Sequence, residues 1–143
     1  MDVFDSMKIS ASALRAERLR LNTISSNIAN IATTRTPEGE PYRKREVVFR
    51  STDNLFERSL EEKMRGAAQG VEVAEIRTSP EPPRMVYDPS HPDANAEGMV
   101  AMPAINLFEE MADMMTASRA YDANVAAVKA AKHMAMKALE IGR

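Results

Sequence analysis

The segment 88–95 concentrates oxygen and imidazole side chains that could bind a metal ion. Asp88, His91 and Asp93 could supply two or three ligands, whereas a protein metal site usually needs three or four that converge with room for the ion. The two prolines of the segment instead favour a rigid extended turn, in which Asp and Asn side chains bond to nearby backbone. We therefore predict a structural turn here, with no metal site and no cofactor.

Three carboxylates near residue 110 could act as a general acid and base. Glu109, Glu110 and Asp113 are close in sequence, but catalysis would also require a pocket and a perturbed pKa. Their position already explains them, because acidic side chains stabilise the positive end of a helix dipole. For His133, among alanines and lysines, we expect an interface or solvated side chain rather than a base. We predict no catalytic residues and no enzyme.

A cluster of short polar side chains occupies residues 25–30. Ser25, Ser26, Asn27 and Asn30 lie beside an apolar stripe. One interpretation is helix termination, since Asn tolerates the left-handed conformation of a helix cap. The other is a ladder of side-chain amides that bond to a neighbouring helix. The sequence favours neither interpretation over the other.

A short basic run, Arg43-Lys44-Arg45, is the strongest local concentration of positive charge. Nucleic-acid binding would require a broader basic surface with stacking aromatics, and only Tyr42 is close by. The formal net charge of the whole chain is −2. We interpret the run as charged protection of an exposed strand edge and predict no nucleic-acid partner. Cysteine is absent, which excludes disulfides and thiolate chemistry.

The elements that must position these groups follow from the proline distribution. All eight prolines lie between Pro37 and Pro103, and proline inside a helix costs roughly 3 kcal/mol. We therefore predict two long terminal helices, the first from about residue 2–4 to 32, and a non-helical segment between them. The first helix carries apolar residues at heptad spacing, typical of a helix that pairs along its length. These residues are Met7, Leu14, Leu21 and Ile28, with Ile24 beside them.

The last helix has recognisable end signals. Asn106 followed by Glu109 resembles a capping box, and Gly142 is a plausible stop. Several alanines along this helix would let another helix approach closely. The predicted stripe comprises Leu107, Met111, Met114, Tyr121, Val125, Val128, Ala135 and Leu139.

Short β-prone runs fill the middle of the chain. We predict strands near residues 42–49, 71–76, 85–87 and 99–102, and a short amphipathic helix over 53–65. The predicted fold class is α+β: an antiparallel, coiled-coil-like pair of terminal helices with a small β-rich insert. The expected units are 1–34 and 103–143 for the helices and 35–102 for the insert.

Three runs of the sequence carry a family resemblance. Residues 21–34, LNTISSNIANIATT, resemble the N-terminal signature of bacterial flagellar rod, hook and hook-associated proteins, with its Ser-x-Asn-Leu/Ile-Ala-Asn core followed by Thr. Residues 118–125, SRAYDANV, and the end of the chain resemble the partner signature. Residues 86–95, VYDPSHPDAN, and the short length narrow the resemblance to C-type proximal-rod subunits. Together these runs cover more than a third of the chain.

The resemblance implies a structural subunit that polymerises helically with copies of itself and other rod proteins into a hollow drive shaft. It also implies contacts with rod-base adaptor and membrane-ring proteins. Export would proceed through the flagellar type III apparatus, without a cleaved signal peptide, into the periplasmic rod of the basal body. Neither a basic N-terminal start nor an apolar run of about 20 residues occurs, so no direct membrane insertion is expected.

The second hypothesis from the sequence is a soluble coiled-coil secretion chaperone or regulator. Under the rod hypothesis, the helical stripes pack against other subunits, and polar side chains set the register. The residues expected to pack between subunits are Met7, Leu14, Leu21, Ile24, Ser26, Asn27, Ile28, Asn30, Met111, Met114, Tyr121, Asn124, Val125, Val128 and Leu139.

Overall fold

The computed structural model describes residues 3–52 and 69–141. Helix α1 spans Val3–Ala29 and helix α2 spans Leu107–Ile141. Between them lie β1 (Arg45–Ser51), β2 (Val71–Thr78), β3 (Arg84–Tyr87) and β4 (Met99–Met102). The prediction of an α+β fold with long terminal helices and a small antiparallel β insert is confirmed. The helix predicted over 53–65 lies outside the described residues.

The two helices pack against each other in antiparallel directions. Asn27 of α1 contacts Glu110 of α2, and Arg20, earlier in α1, faces Asp113, later in α2. The side of α2 that packs on α1 follows a strict alternation of four and three residues, the spacing of a coiled-coil seam. The residues of this seam are Glu110, Met114, Ala117, Tyr121, Asn124, Val128, Ala131 and Ala135.

The α2 helix begins as its sequence predicts. The Asn106 side-chain oxygen accepts a hydrogen bond from the Phe108 backbone N–H at 3.1 Å, which satisfies one of the free donors of the first turn. The Asn106 carbonyl accepts the first intrahelical bond, from the Glu110 N–H. The start of α2 therefore places Glu110 one turn inside the helix.

The strands form two separate two-stranded antiparallel sheets. In the first, β1 pairs with β2, with a register shift between Val48 and Phe49; this sheet packs against α1. The approach is close at Gly70, where a Cβ atom would lie 2.8 Å from the Ser12 hydroxyl. That hydroxyl accepts a hydrogen bond from the Val71 N–H at 3.0 Å. Helix α1 therefore lies between α2 and the first sheet.

The second sheet is a hairpin of β3 and β4, joined by the turn at residues 88–98. The predicted local bonding is present: the Asp88 carboxylate accepts from the Ser90 N–H and hydroxyl, and the Asp93 N–H donates to His91 Nδ1. The Asp88 carboxylate and the His91 ring thus bond within the turn, whereas the Asp93 carboxylate accepts from the Thr34 hydroxyl at 2.8 Å. Among the described residues, no group of three His, Cys, Asp or Glu side chains is arranged to hold a metal ion.

Candidate functional site

The best-defined polar site of the molecule lies where α1, α2 and the start of β1 meet. Asn27 and Glu110 are each 1% exposed, and they come from opposite ends of the chain. The Asn27 amide nitrogen donates to Glu110 Oε2 at 2.9 Å. Buried polar groups are costly unless they are paired, so this bond holds the two helices in one register.

Asn27 also binds the edge of the first sheet. Its amide nitrogen donates to the Arg45 carbonyl at 2.8 Å, and its amide oxygen accepts from the Arg45 N–H at 3.0 Å. A neighbouring antiparallel strand would form the same two bonds with a residue of β1. The side chain thus pairs the open edge of β1 and ties the strand to α1.

Two further side chains complete the network. The Tyr42 hydroxyl donates to the Asn27 amide oxygen at 3.1 Å. Lys44 Nζ lies 2.9 Å from Glu110 Oε1, with the lysine side chain 18% exposed. We call Asn27, Tyr42, Lys44 and Glu110, with the Arg45 backbone, the polar latch.

The electrostatics of the polar latch favour a charged lysine. Burial lowers the pKa of Lys44, but the hydrogen bond and negative charge of Glu110 raise it more, and the net pKa lies above the ordinary 10.5. Lys44 therefore stays cationic at neutral pH and compensates the buried carboxylate. A buried carboxylate without this partner would be strongly destabilising.

A polar cleft of about 360 Å³ opens beside the latch, between the helices and β1. Its charged lining comprises the cations Arg20, Lys44 and Arg45 and the carboxylates Glu46, Glu110 and Asp113. The opposite charges balance, so the cleft has no preference for an anion or a cation. Its charges are arranged to hold elements of the fold together.

The structure brings some of the sequence-predicted packing residues into the intrachain seam and leaves others outside it. Ile24 and Asn27 are buried in α1, while Met111 and Leu139 are exposed on α2. Asn30 bonds back to the Ser26 carbonyl of its own helix. Half-buried positions comprise Met7, Leu14, Leu21, Ser26, Ile28, Asn30, Met114, Tyr121, Asn124, Val125 and Val128. Their packing between subunits stays a prediction.

Sequence reasoning missed two members of the latch. The sequence predicts a helix-dipole role for Glu110 and a strand-edge role for Lys44, but not the ion pair that the two side chains form. One signal could have found Glu110. Met114, Ala117 and Tyr121 are separated by steps of three and four residues. A further step of four residues toward the N-terminus reaches residue 110, on the side of the helix that faces α1.

The fold and the latch together define a structural protein, in which two terminal helices are held in register and tied to a small β unit. Two family models match the chain. The first, described as "Flagella basal body rod protein", matches residues 7–35. The second, described as "Flagellar basal body rod FlgEFG protein C-terminal", matches residues 96–141. The matched regions contain most of α1, all of α2 and, in Asn27 and Glu110, the interhelical bond of the latch.

Full-length relatives agree. The flagellar basal-body rod protein FlgC of Bacillus subtilis is 45% identical, with 100% of both chains covered. The FlgC of Borreliella burgdorferi is 40% identical, covering 99% of this chain and 98% of the relative. That of Escherichia coli O157:H7 is 38% identical, covering 100% and 98%. The chain therefore belongs to the FlgC family of flagellar basal-body rod proteins.

This membership confirms the resemblance expected from the sequence. The protein is a structural subunit of the proximal rod of the flagellar basal body, and it assembles with other rod components. The similarity over the full length favours this function over a secretion chaperone or regulator.

Proposed function

We propose that the subunit transmits torque within the rod, as part of a hollow shaft that also carries the export channel, and that it catalyses no reaction. The observation that carries this proposal is the polar latch. Its bonds join α1, α2 and β1, and the Asn27–Glu110 bond links residues 83 positions apart in the sequence. Torque transmission requires elements that do not slide past one another, and buried polar groups that bond to one another specify one register.

The exposed side chains of α2 support helical polymerisation. Large apolar side chains of this helix are exposed in the single chain in two groups, one at residues 107–115 and one at residues 134–141. Exposed apolar patches of this kind mark protein–protein contacts. A contact between different faces of identical subunits continues as a helix when the rotation does not close. The exposed residues are Leu107, Phe108, Met111, Met115, Met134, Met136, Leu139 and Ile141.

Export and placement complete the proposal. We infer that the subunit travels through the flagellar type III apparatus without a cleaved signal peptide and enters the periplasmic part of the rod. Its further partners there would be rod-base adaptor and membrane-ring proteins. No described helix is sufficiently long and apolar to span a lipid bilayer.

The helices would acquire most of their stability on assembly. Isolated helices are marginal in water, and burial of an apolar face supplies most of the stability of protein helices. In the single chain much of the apolar surface of α2 is still exposed. Circular dichroism of dilute purified subunit should therefore show weak terminal helicity. Strong helicity with a cooperative thermal transition would contradict this part of the proposal.

Deletion of residues 1–30 tests the proposed function. The deletion removes α1, the Asn27 bonds and half of the seam, so the subunit should no longer co-purify with basal bodies. Asn22→Ala, at an exposed position of the same helix, is the control and should co-purify like the wild type. The exported amount of each variant is measured in parallel, so that an export defect is recognised. A truncated subunit that still co-purifies would refute the proposal.

A further inference from the structure

The first sheet is attached to helix α1 at two places. One is the polar latch, where the Asn27 side chain bonds to the Arg45 backbone at the start of β1. The other lies at the opposite end of the sheet, where Ser51 of β1 pairs with Val71 of β2. There the Val71 N–H donates to the Ser12 hydroxyl at 3.0 Å. The two attachments therefore hold the two ends of the same sheet.

The spacing of the two attachments is the same on the helix and on the sheet. The rise from Ser12 to Asn27 along α1 is about 22 Å. The length of β1 from Arg45 to Ser51 is about 20 Å. Since the two lengths agree, β1 runs along α1 and is bonded to it at both ends at once.

The second attachment is held by hydrogen bonds on both sides. On the helix side, the Ser12 hydroxyl donates to the Ile9 carbonyl at 2.7 Å, so it both donates and accepts. On the sheet side, the Gly70 N–H donates to the Thr52 hydroxyl and the Thr52 N–H donates to the Gly70 carbonyl, each at 3.0 Å. These bonds fix the end of the sheet against the serine. We call Ser12, Thr52, Gly70 and Val71 the sheet anchor.

The close approach of the sheet to α1 explains the glycine at position 70. A Cβ atom there would lie 2.8 Å from Ser12 Oγ, closer than such atoms normally approach. Among the glycines that the structure describes, Gly39 and Gly98 have positive φ angles and Gly70 does not. The backbone at residue 70 is therefore compatible with alanine. The obstacle to a side chain at this position is the contact with Ser12.

The two attachments are important because the sheet itself buries little surface. Of the described residues of β1 and β2, none is fully buried. Val47 and Phe49, in the middle of β1, line the polar cleft beside the latch. A two-stranded sheet is marginally stable alone in water, and a sheet held at one point could turn about that point. Two attachments about 20 Å apart prevent this rotation.

We propose that the sheet anchor positions the first sheet on α1 together with the polar latch, and that incorporation of the subunit into the rod requires both attachments. This inference rests on the proposed function. A subunit whose sheet can turn on α1 presents a changing surface to its neighbours, and that freedom must be removed on assembly at a cost in affinity. Ser12 is thus a positioning residue, which acts through Gly70 and Val71.

Paired alanine substitutions test the anchor. Gly70→Ala creates the close contact with Ser12 Oγ and should lower the amount of subunit in isolated basal bodies about tenfold or more. Ser12→Ala loses only the bond from the Val71 N–H and should lower it a few-fold. The double variant lacks the oxygen that the new methyl group would meet, and the nearest remaining atoms lie 3.3 and 3.4 Å away. Its incorporation should therefore return to about the level of Ser12→Ala.

This recovery distinguishes positioning from a general loss of stability. If Gly70 and Ser12 contributed to stability independently, the two losses would add. A double variant incorporated less well than either single variant would overturn the inference, as would Gly70→Ala incorporated at the wild-type level. Ser25→Ala, the same change as Ser12→Ala at an exposed position of α1, is the matched control and should be incorporated like the wild type.

Engineered cysteines test whether the anchor is present in the assembled rod. The natural chain has no cysteine, and a Cβ atom at residue 70 would lie 3.4 Å from Ser12 Cβ, close to the distance that a disulfide spans. When isolated basal bodies are oxidised, Ser12→Cys with Gly70→Cys should form a disulfide within one chain, identified by mass spectrometry of the linked peptides. Ser12→Cys with Thr78→Cys, at the other end of β2, should not.

The outcomes separate this inference from the proposed function. If wild-type subunit is absent from basal bodies, the proposed function fails. If wild-type subunit is present and the incorporated cysteine variant forms no link between residues 12 and 70, the inference about the sheet anchor alone is overturned.

Discussion

Replacing Asn27 removes the centre of the polar latch. Its side chain makes four hydrogen bonds: one to Glu110, one from Tyr42, and two with the Arg45 backbone. At a net value of about 1 kcal/mol each, Asn27→Ala should weaken the folded arrangement by about 4 kcal/mol. Since each 1.4 kcal/mol is a factor of ten, this is roughly a thousandfold change in the equilibrium.

Asn27→Asp should be more damaging, although it changes a single NH₂ group to oxygen. The new carboxylate would lie about 3 Å from Glu110 Oε2, in place of a donor that now bonds it at 2.9 Å. Two buried carboxylates repel each other, and each loses its solvation. Adding Glu110→Gln restores one carboxylate, one amide and the nearby Lys44 cation, so the double variant should recover part of the loss.

The assay is incorporation into basal bodies, measured as the amount of tagged subunit per rod together with swimming motility. Asn27→Asp should fall well below Asn27→Ala, and the double variant with Glu110→Gln should exceed Asn27→Asp. Asn22→Ala, on the exposed side of α1, should match the wild type. Equal incorporation of Asn27→Asp and the wild type would refute the assignment of the latch as the register-setting element, because a buried charge repulsion cannot be without effect.

Three further predictions follow from the seam, the ion pair and the turn. Leu21→Asp or Val125→Asp places a charge in the half-buried helical surface at a cost of about 1–3 kcal/mol or more. Each change should block rod assembly and motility while export of the subunit continues. A motile double variant would contradict the assignment of these residues to the packing surface of the helices. The pKa of Lys44 is raised above 10.5, so the stability that its cation contributes is complete below that pH and is lost as pH rises through the raised value. Between about pH 7 and 9 the stability of isolated rods should therefore not fall because of this group. At higher pH wild-type rods should become less stable, and Lys44→Met rods should lack this decrease. His91→Ala removes only an acceptor for the Asp93 N–H at 3.1 Å, so it should lower turn stability without preventing assembly, as measured by basal-body content; complete loss of assembly would show a larger role for the turn.

Local sequence rules predicted much of the fold because strand propensity, helix capping and the effect of proline depend on interactions between residues close in sequence. The strand expected at residues 99–102 is β4, and the strand expected at 71–76 lies within β2. The Asn106 side chain caps α2 as its type and position predict. The absence of proline from both ends predicted the two long helices. Proline disrupts a helix locally, because it lacks a backbone N–H and its ring clashes with the preceding turn.

Local rules could not decide which charged side chains are buried. Glu109, Glu110 and Asp113 are similar as acidic residues of the first two turns of a helix, yet only Glu110 is buried. The difference arises because α1 lies on that side of α2, and its Asn27 donates to the carboxylate from 83 residues away. Similarly, Lys44 is one of three consecutive basic residues, and only its ammonium reaches Glu110.

The sequence alone thus determined the two long helices, the β-rich character of the insert and the family, because helix-breaking residues, capping side chains and signature runs act or are recognised over a few residues. The tertiary structure alone decided which face of each helix is covered and which polar groups are paired. Tyr121 and Leu139 belong to one apolar stripe in the sequence, but only Tyr121 lies in the intrachain seam. The physical reason is that burial of a side chain depends on the element packed against it, and for Glu110 that element lies at the other end of the chain.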